Sequence, residues 1–128
     1  MKEESRPVAM TVEDNAHVSS YLAAMLDLAD IETISTSSSG ECLLILSELR
    51  NANKPIDVVI LDGREPIGKG GLLVSQIKQF NQNTKILAIV RNIGARHKLL
   101  APGADVAVTR PISGQTVVEN VLMLKRGP

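Results

Sequence analysis

The sequence predicts an α/β domain in which helices cover both faces of a parallel sheet. Short runs of β-branched residues alternate with longer segments whose apolar residues recur every three or four positions, as in repeated strand and helix units. One short run, residues 58–61, is apolar at every position, which is typical of a strand buried on both faces. The 128 residues, 44% of them hydrophobic, suffice for one domain with a full core and are too few for two.

Five predicted strands are separated by segments of helical period. The strands are residues 8–12, 31–35, 56–61, 85–90 and 106–109. The first helix opens after Asn15. Its apolar stripe consists of Val18, Leu22, Met25 and Leu26. The third helix covers about residues 71–80.

Capping residues and helix breakers delimit the other three helices. Ser38 and Glu41 have the spacing of a capping box and open the second helix, which ends near Asn51. Its stripe consists of Cys42, Ile45, Leu46 and Leu49. The fourth helix, about residues 95–100, is short because Pro102 and Gly103 stop it. Ser113 is the predicted N-cap of the fifth helix. The residues that this helix buries are Val117, Val121 and Leu124.

Composition excludes several classes of function. The 14 basic and 14 acidic side chains cancel, and only 2% of residues are aromatic, so we expect no nucleic-acid partner. No apolar run approaches the roughly 20 residues of a membrane helix, and residues 1–6 lack the apolar core of a secretion signal. The single cysteine, Cys42, excludes an internal disulfide and is expected to be a half-buried helix residue. We therefore expect a cytoplasmic protein with no membrane partner.

Charged side chains follow the predicted carboxyl ends of three strands. The first strand ends in Glu13 and Asp14, the third in Asp62, and the fifth in Arg110 followed by Pro111. Ligands of open parallel sheets bind beyond the carboxyl ends of the strands. Three carboxylates at neighbouring strand ends repel each other unless a cation lies among them, and oxygen ligands suit a hard ion. We therefore expect a magnesium site at this edge.

A competing motif lies directly after the third strand. Residues 63–70 nearly match the nucleotide-binding loop, in which two glycines flank four residues and a lysine follows. However, Gly70 replaces the hydroxyl residue that binds magnesium, Glu65 adds negative charge, and Pro66 removes a backbone donor. A flexible turn into the third helix is the simpler interpretation.

The order of four short motifs resembles the receiver domains of two-component signalling, over about residues 6–126. The motifs are residues 12–15 (Val-Glu-Asp-Asn), 59–62 (Val-Ile-Leu-Asp) with Pro66, 103–105 (Gly-Ala-Asp) and 110–111 (Arg-Pro). The resemblance implies a receiver domain at residues 7–126 with flexible ends at 1–6 and 127–128. It also implies a doubly wound, flavodoxin-like fold with five flanking helices and strand order 2-1-3-4-5, and a cis bond before Pro111.

The same resemblance assigns roles to the charged residues. Asp62 is the expected phosphoacceptor. Magnesium is expected on Asp14, Asp62 and the backbone carbonyl of Arg64, with Glu13 bound through water. The implied partners are a sensor histidine kinase or phosphotransfer protein and a downstream protein.

Four positions depart from the receiver pattern. Arg110 stands where the family has lysine, and Val90 where it has a serine or threonine that contacts the phosphoryl group. Ala107 replaces the aromatic residue that usually moves with that hydroxyl, and Arg91 replaces a small residue beside the site. Arg91 and Arg110 could instead pair with Asp62 or Glu13 in place of metal and phosphate. The segment from residue 90 to 103 is also short for the family.

Two functions follow from these observations. The first is an atypical receiver, which accepts a phosphoryl group on Asp62 and at most catalyses its own phosphorylation and dephosphorylation. The alternative is a pseudo-receiver, which binds a protein partner without phosphorylation and is held in one state by Arg91 and Arg110. From the chain's end at Pro128 we expect either a stand-alone receiver or one excised from a larger sensor kinase.

Overall fold

The computed structural model of the chain describes residues 6–62 and 70–127. Its strands are β1 (Val8–Val12), β2 (Glu32–Thr36), β3 (Val58–Asp62), β4 (Lys85–Val90) and β5 (Val106–Thr109). Its helices are α1 (Ala16–Leu28), α2 (Ser39–Asn51), α3 (Gly70–Phe80), α4 (Ile93–Leu100) and α5 (Gly114–Arg126). Arg64, Pro66 and residues 63–69 of the nucleotide-loop-like motif lie outside the described residues, as do residues 1–5 and 128 of the expected flexible ends.

The five strands form one parallel sheet in the order β2-β1-β3-β4-β5, which confirms the expected doubly wound topology. Val12 pairs with Leu61, and Asp62 pairs with Ile89, so the carboxyl ends of the three central strands lie at one edge of the sheet. Val90, the last residue of β4, pairs with Thr109 at the end of β5. The chain therefore brings Glu13, Asp62 and Arg110 to that edge as it leaves β1, β3 and β5.

Helices pack on both faces of the sheet, and all five residues of β3 are therefore buried. One core lies under α1 and α5 and includes Leu22, Leu26, Val117 and Val121. The other lies under α2, α3 and α4 and includes Cys42, Leu46, Val74, Ile77 and Leu99. The helices thus screen both faces of the central strands from water, and the carboxyl ends of these strands lie at one end of the sheet.

Three N-caps are where the sequence predicts them. Asn15 accepts from the N–H groups of His17 and Val18, Ser38 from that of Glu41, and Ser113 from that of Thr116. The Glu41 carboxylate accepts from the N–H of Ser37, at 2.7 Å, one residue before the position that an ideal capping box would use. These caps satisfy N–H groups that have no acceptor within their own helix.

The structure corrects the bounds of four elements. Ile31 precedes β2 because its N–H donates to Leu26 O and closes the turn after α1. β3 begins at Val58, two residues later than predicted, and ends on Asp62 itself. α3 begins one residue early, at Gly70, and α4 begins at Ile93 because the Asn92 side chain caps it, although at eight residues it is still short.

Cys42 is fully buried, whereas the sequence suggests a half-buried position. The reason is that α2 lays this side chain directly on the sheet, within the core under α2, α3 and α4. Burial raises the pKa of its thiol to about 12, so the thiolate does not form at neutral pH. Leu124, expected among the residues that α5 buries, is only half-buried. Among the described helices, none has the length and apolar character needed to cross a membrane.

Candidate functional site

Two buried carboxylates lie at the carboxyl edge of the sheet. Glu13 directly follows β1, and its N–H donates to Thr36 O at 3.0 Å, which extends the β1–β2 pairing by one residue. Asp62 ends β3, the neighbouring strand. Glu13 is 5% exposed and Asp62 is 4% exposed, whereas Asp14 is exposed. Two carboxylates that remain this buried need partners of opposite charge or hydrogen-bond donors.

Arg110 is a charged partner of Asp62. Its Nη2 donates to Asp62 Oδ2 at 2.5 Å, from a side chain that is 28% exposed. The Arg110 N–H donates to Val90 O at 2.8 Å, which holds the backbone of this residue against the end of β4. The peptide bond between Arg110 and Pro111 is cis, as expected. The Arg110 Nε is buried and has no hydrogen-bond partner among the described residues.

The environment of Glu13 perturbs the pKa of its carboxyl. Burial raises the pKa of its carboxyl above the ordinary 4.5, and the negative charge of Asp62 raises it further. A hydrogen bond from the N–H of Asn15 to Glu13 Oε2, at 3.0 Å, acts in the opposite direction. Burial and the neighbouring Asp62 carboxylate thus both favour the protonated form of Glu13 over its charged form.

The donor chemistry of this edge fits a hard divalent cation. Glu13 and Asp62 are buried oxygen ligands whose mutual repulsion a cation would relieve, and the exposed Asp14 is next to them in the chain. Within residues 6–62 and 70–127, however, no three acidic, histidine or cysteine side chains already form a group that could hold a metal. The expected carbonyl ligand of Arg64 lies outside the described residues. A metal here would have to share Asp62 with Arg110.

The atypical positions lie beside this edge. Val90 and Ala107 are both buried in the core under α2, α3 and α4. Neither side chain has a hydrogen-bond donor to offer to the site. Arg91 is exposed, and in the part of the chain that the structure describes it makes no ion pair. Of the two arginines that the sequence offers as partners for Asp62, the structure thus pairs only Arg110.

A contact that the sequence analysis missed links α1 to the turn after Arg110. Tyr21 Oη accepts from the N–H of Gly114, the first residue of α5, at 3.0 Å. A cavity of about 300 Å³ lies beside this contact and is lined by His17, Val18, Tyr21, Leu22, Ile89, Arg110 and Ile112. Tyr21 and Gly114 are 93 residues apart, and no local pattern indicates that they meet.

The sequence matches a family model, and the fold matches solved structures. The family model described as the response regulator receiver domain matches residues 9–122. No sequence among curated proteins matches significantly. The fold is similar to that of a response regulator receiver domain protein from Clostridium thermocellum, with a TM-score of 0.83 and 21% identity over 94% of both chains.

Two further solved structures have the same fold. The receiver domain of the Francisella response regulator 1452 has a TM-score of 0.80 and 20% identity, over 94% of this chain and 98% of that one. The chemotaxis response regulator CheY4 of Vibrio cholerae has a TM-score of 0.77 and 19% identity, over 94% of this chain and 99% of that one. The family match spans most of the chain, and its sheet has the strand order expected of a receiver. The chain therefore belongs to the response regulator receiver domain family.

Proposed function

We propose that this receiver accepts a phosphoryl group on Asp62 and that magnesium assists the transfer. The observation that carries the proposal is the position of Asp62, a carboxylate 4% exposed at the end of the central strand β3 and paired with a cation, Arg110. A carboxylate is a poor nucleophile toward a phosphoryl group unless the charge on the transferring oxygens is neutralised. Arg110 can supply part of that neutralisation.

Each residue of the edge has a part in this reaction. A carboxylate oxygen of Asp62 attacks phosphorus, the bond between phosphorus and the donor's leaving atom breaks, and an acyl phosphate forms. Arg110 moves from the Asp62 carboxylate onto the phosphoryl oxygens, where its planar guanidinium can make two parallel hydrogen bonds. Glu13, Asp14 and Asp62 would hold magnesium, with the carbonyl of Arg64 as the further expected ligand. When bound, magnesium would supply further positive charge to neutralise the transferring phosphoryl group.

The reaction is slower than in a receiver with the full set of contacts. Val90 has no hydroxyl to donate, and Arg110 does not reproduce the compact ammonium group of a lysine. Losing one good transition-state contact costs on the order of 3 kcal/mol, about a hundredfold in rate. In this proposal the chain is a signalling module rather than a turnover enzyme, and it catalyses at most its own phosphorylation and dephosphorylation.

The partners follow from family membership. A sensor histidine kinase or a phosphotransfer protein supplies the phosphoryl group, and a downstream protein reads the result. The balanced charge gives no support to a nucleic-acid partner. A single buried cysteine and a phosphorelay role both suit the cytoplasm.

Intact mass after incubation with acetyl phosphate and magnesium tests the proposal. The parent protein should gain the mass of one phosphoryl group, and Asp62→Asn should gain none. The double variant Val90→Thr and Arg110→Lys should label faster than the parent. A parent that stays unlabelled, together with an unlabelled double variant, would contradict the proposal.

The Arg110–Asp62 ion pair favours a second function, that of a pseudo-receiver. In this alternative the guanidinium takes the place of metal and phosphate on the Asp62 carboxylate, and a protein partner binds irrespective of phosphorylation. Arg110 alone would hold Asp62 in this way, since Arg91 is exposed and unpaired within the described residues. If the protein is a pseudo-receiver, millimolar magnesium leaves the melting curve of the parent unchanged. In Arg110→Met, magnesium then raises the melting temperature.

A further inference from the structure

The side chain of Arg110 makes few polar contacts with the described residues. Among the described residues, this side chain makes one hydrogen bond, the one in its ion pair with Asp62. Its buried Nε has no acceptor among the same residues. The cavity of about 300 Å³ beside it leaves room for the guanidinium to move. Since one hydrogen-bonded contact among the described residues fixes the end of this side chain, its position depends strongly on the backbone that carries it.

That backbone is fixed at two points. On one side the N–H of Arg110 donates to Val90 O, which continues the β4–β5 pairing. On the other side the chain enters α5 at Gly114, four residues after Arg110. Whatever anchors the first turn of α5 therefore limits how far the Arg110 backbone can shift.

Two acceptors from different parts of the chain anchor this first turn. N–H groups in the first turn of a helix have no acceptor within the helix. Ser113 Oγ, the local N-cap, accepts from Thr116 at 3.2 Å. Tyr21 Oη accepts from Gly114 at 3.0 Å, and it alone of the two connects the turn to α1.

The helices are also in close contact at this point. A Cβ at Gly114 would overlap the Met25 side chain of α1 and lie 2.9 Å from Tyr21 Oη. The absence of a side chain at Gly114 therefore allows the Tyr21 hydroxyl to reach the backbone N–H. Tyr21 is 49% exposed, so Tyr21→Phe removes the hydroxyl contact and keeps the part of the ring that is buried.

We propose that Tyr21 is a positioning residue for Arg110, acting through the N–H of Gly114 and the turn between β5 and α5. The functional role rests on the proposed function, in which Arg110 meets the phosphoryl oxygens. By tying the turn to α1, the Tyr21 hydroxyl keeps the guanidinium on the carboxylate of Asp62 and away from the neighbouring cavity.

Tyr21→Phe and Ser113→Ala form a matched pair for the test. Each variant removes one acceptor from the same end of α5, and only Tyr21→Phe breaks the link to α1. The readout is hydrogen exchange of the Arg110 Nε proton by ¹⁵N NMR, with the resonance assigned through Arg110→Lys. This nitrogen is buried, so its proton is shielded from water as long as the side chain keeps its position.

Tyr21→Phe should speed this exchange by about threefold to tenfold, the factor that corresponds to the loss of one hydrogen bond. Ser113→Ala should leave the exchange unchanged, even if it lowers the melting temperature as much as Tyr21→Phe does. Gly114→Ala, which pushes α5 away from Tyr21, should speed the exchange in the same way and serves if Tyr21→Phe fails to fold. Equal exchange in the parent and in Tyr21→Phe, or an equal increase in Ser113→Ala, would overturn the proposal.

The labelling rate with acetyl phosphate separates this proposal from the proposed function. In a parent that takes up label, Tyr21→Phe should label about threefold more slowly than Ser113→Ala, because a less fixed cation stabilises the transition state less. Identical rates in the two variants would refute the functional role. A parent that takes up no label refutes the proposed function, and the exchange of the Arg110 proton still decides whether Tyr21 positions that side chain.

Discussion

The coupling between Arg110 and Asp62 can be measured with a double-mutant cycle of Arg110→Met and Asp62→Asn. Hydrogen bonds to charged groups typically stabilise proteins by about 1.5–3 kcal/mol. The Asp62 end of this pair is almost completely buried, but Arg110 is 28% exposed and solvent screens its charge. An asparagine can also still accept from the guanidinium. We therefore expect a coupling energy of about 1.5 kcal/mol, roughly a tenfold change in the unfolding equilibrium constant.

The assay is urea unfolding of the four proteins without magnesium. The cycle removes the effect of the other contacts that Asp62 makes, because these change equally in both backgrounds. Arg91→Met is the control, and it should change the free energy of unfolding by less than about 0.5 kcal/mol, as expected of an exposed arginine that has no ion pair with the described residues. In millimolar magnesium the coupling should fall, because the metal competes for the Asp62 carboxylate. A coupling below about 0.5 kcal/mol without magnesium would refute the argument that Arg110 is a substantial partner of Asp62.

Four further outcomes are expected. Millimolar magnesium should raise the melting temperature of the parent and not that of Asp14→Ala, since a ligand that binds only the folded state stabilises it; a rise in both would exclude Asp14 as a ligand. The raised pKa of Glu13 contributes stability that is present below pH 4.5 and lost as pH rises through the folded-state pKa, so Glu13→Gln should gain stability over the parent between pH 4 and 7 in thermal melts. A constant difference over this range would contradict that reasoning. Gly114→Ala should lower the free energy of unfolding by about 1–3 kcal/mol in urea titrations, because its Cβ overlaps a side chain of α1; an unchanged value would mean that the helices separate without cost. Beryllofluoride with magnesium should shift amide resonances near the site and little across α4 and α5, because Val90 and Ala107 lack the hydroxyl and the aromatic ring of the usual switch; large shifts in these helices would contradict this.

Local chemistry made much of the fold predictable. The N-caps Asn15, Ser38 and Ser113 are where the sequence places them, because a side-chain acceptor and the N–H groups it satisfies are at most three residues apart. The apolar run of β3 indicated helices on both faces, because a strand whose residues are all apolar, rather than alternately apolar and polar, has no polar face to expose to solvent. The boundaries of β2 and α4 were wrong by one or two residues, because hydrogen bonds of the neighbouring turns decide where an element begins.

The sequence by itself also determined which charged residues gather at the carboxyl edge, since parallel strands all end on the same side. Only the tertiary structure decided how they pair. Arg91 and Arg110 both follow strands next to the site, and the Arg110 backbone bond to Val90 brings that guanidinium to Asp62 while Arg91 faces solvent. The contact of Tyr21 with Gly114 likewise joins residues 93 positions apart. Such contacts depend on how two helices approach across a sheet, which no periodicity within either helix encodes.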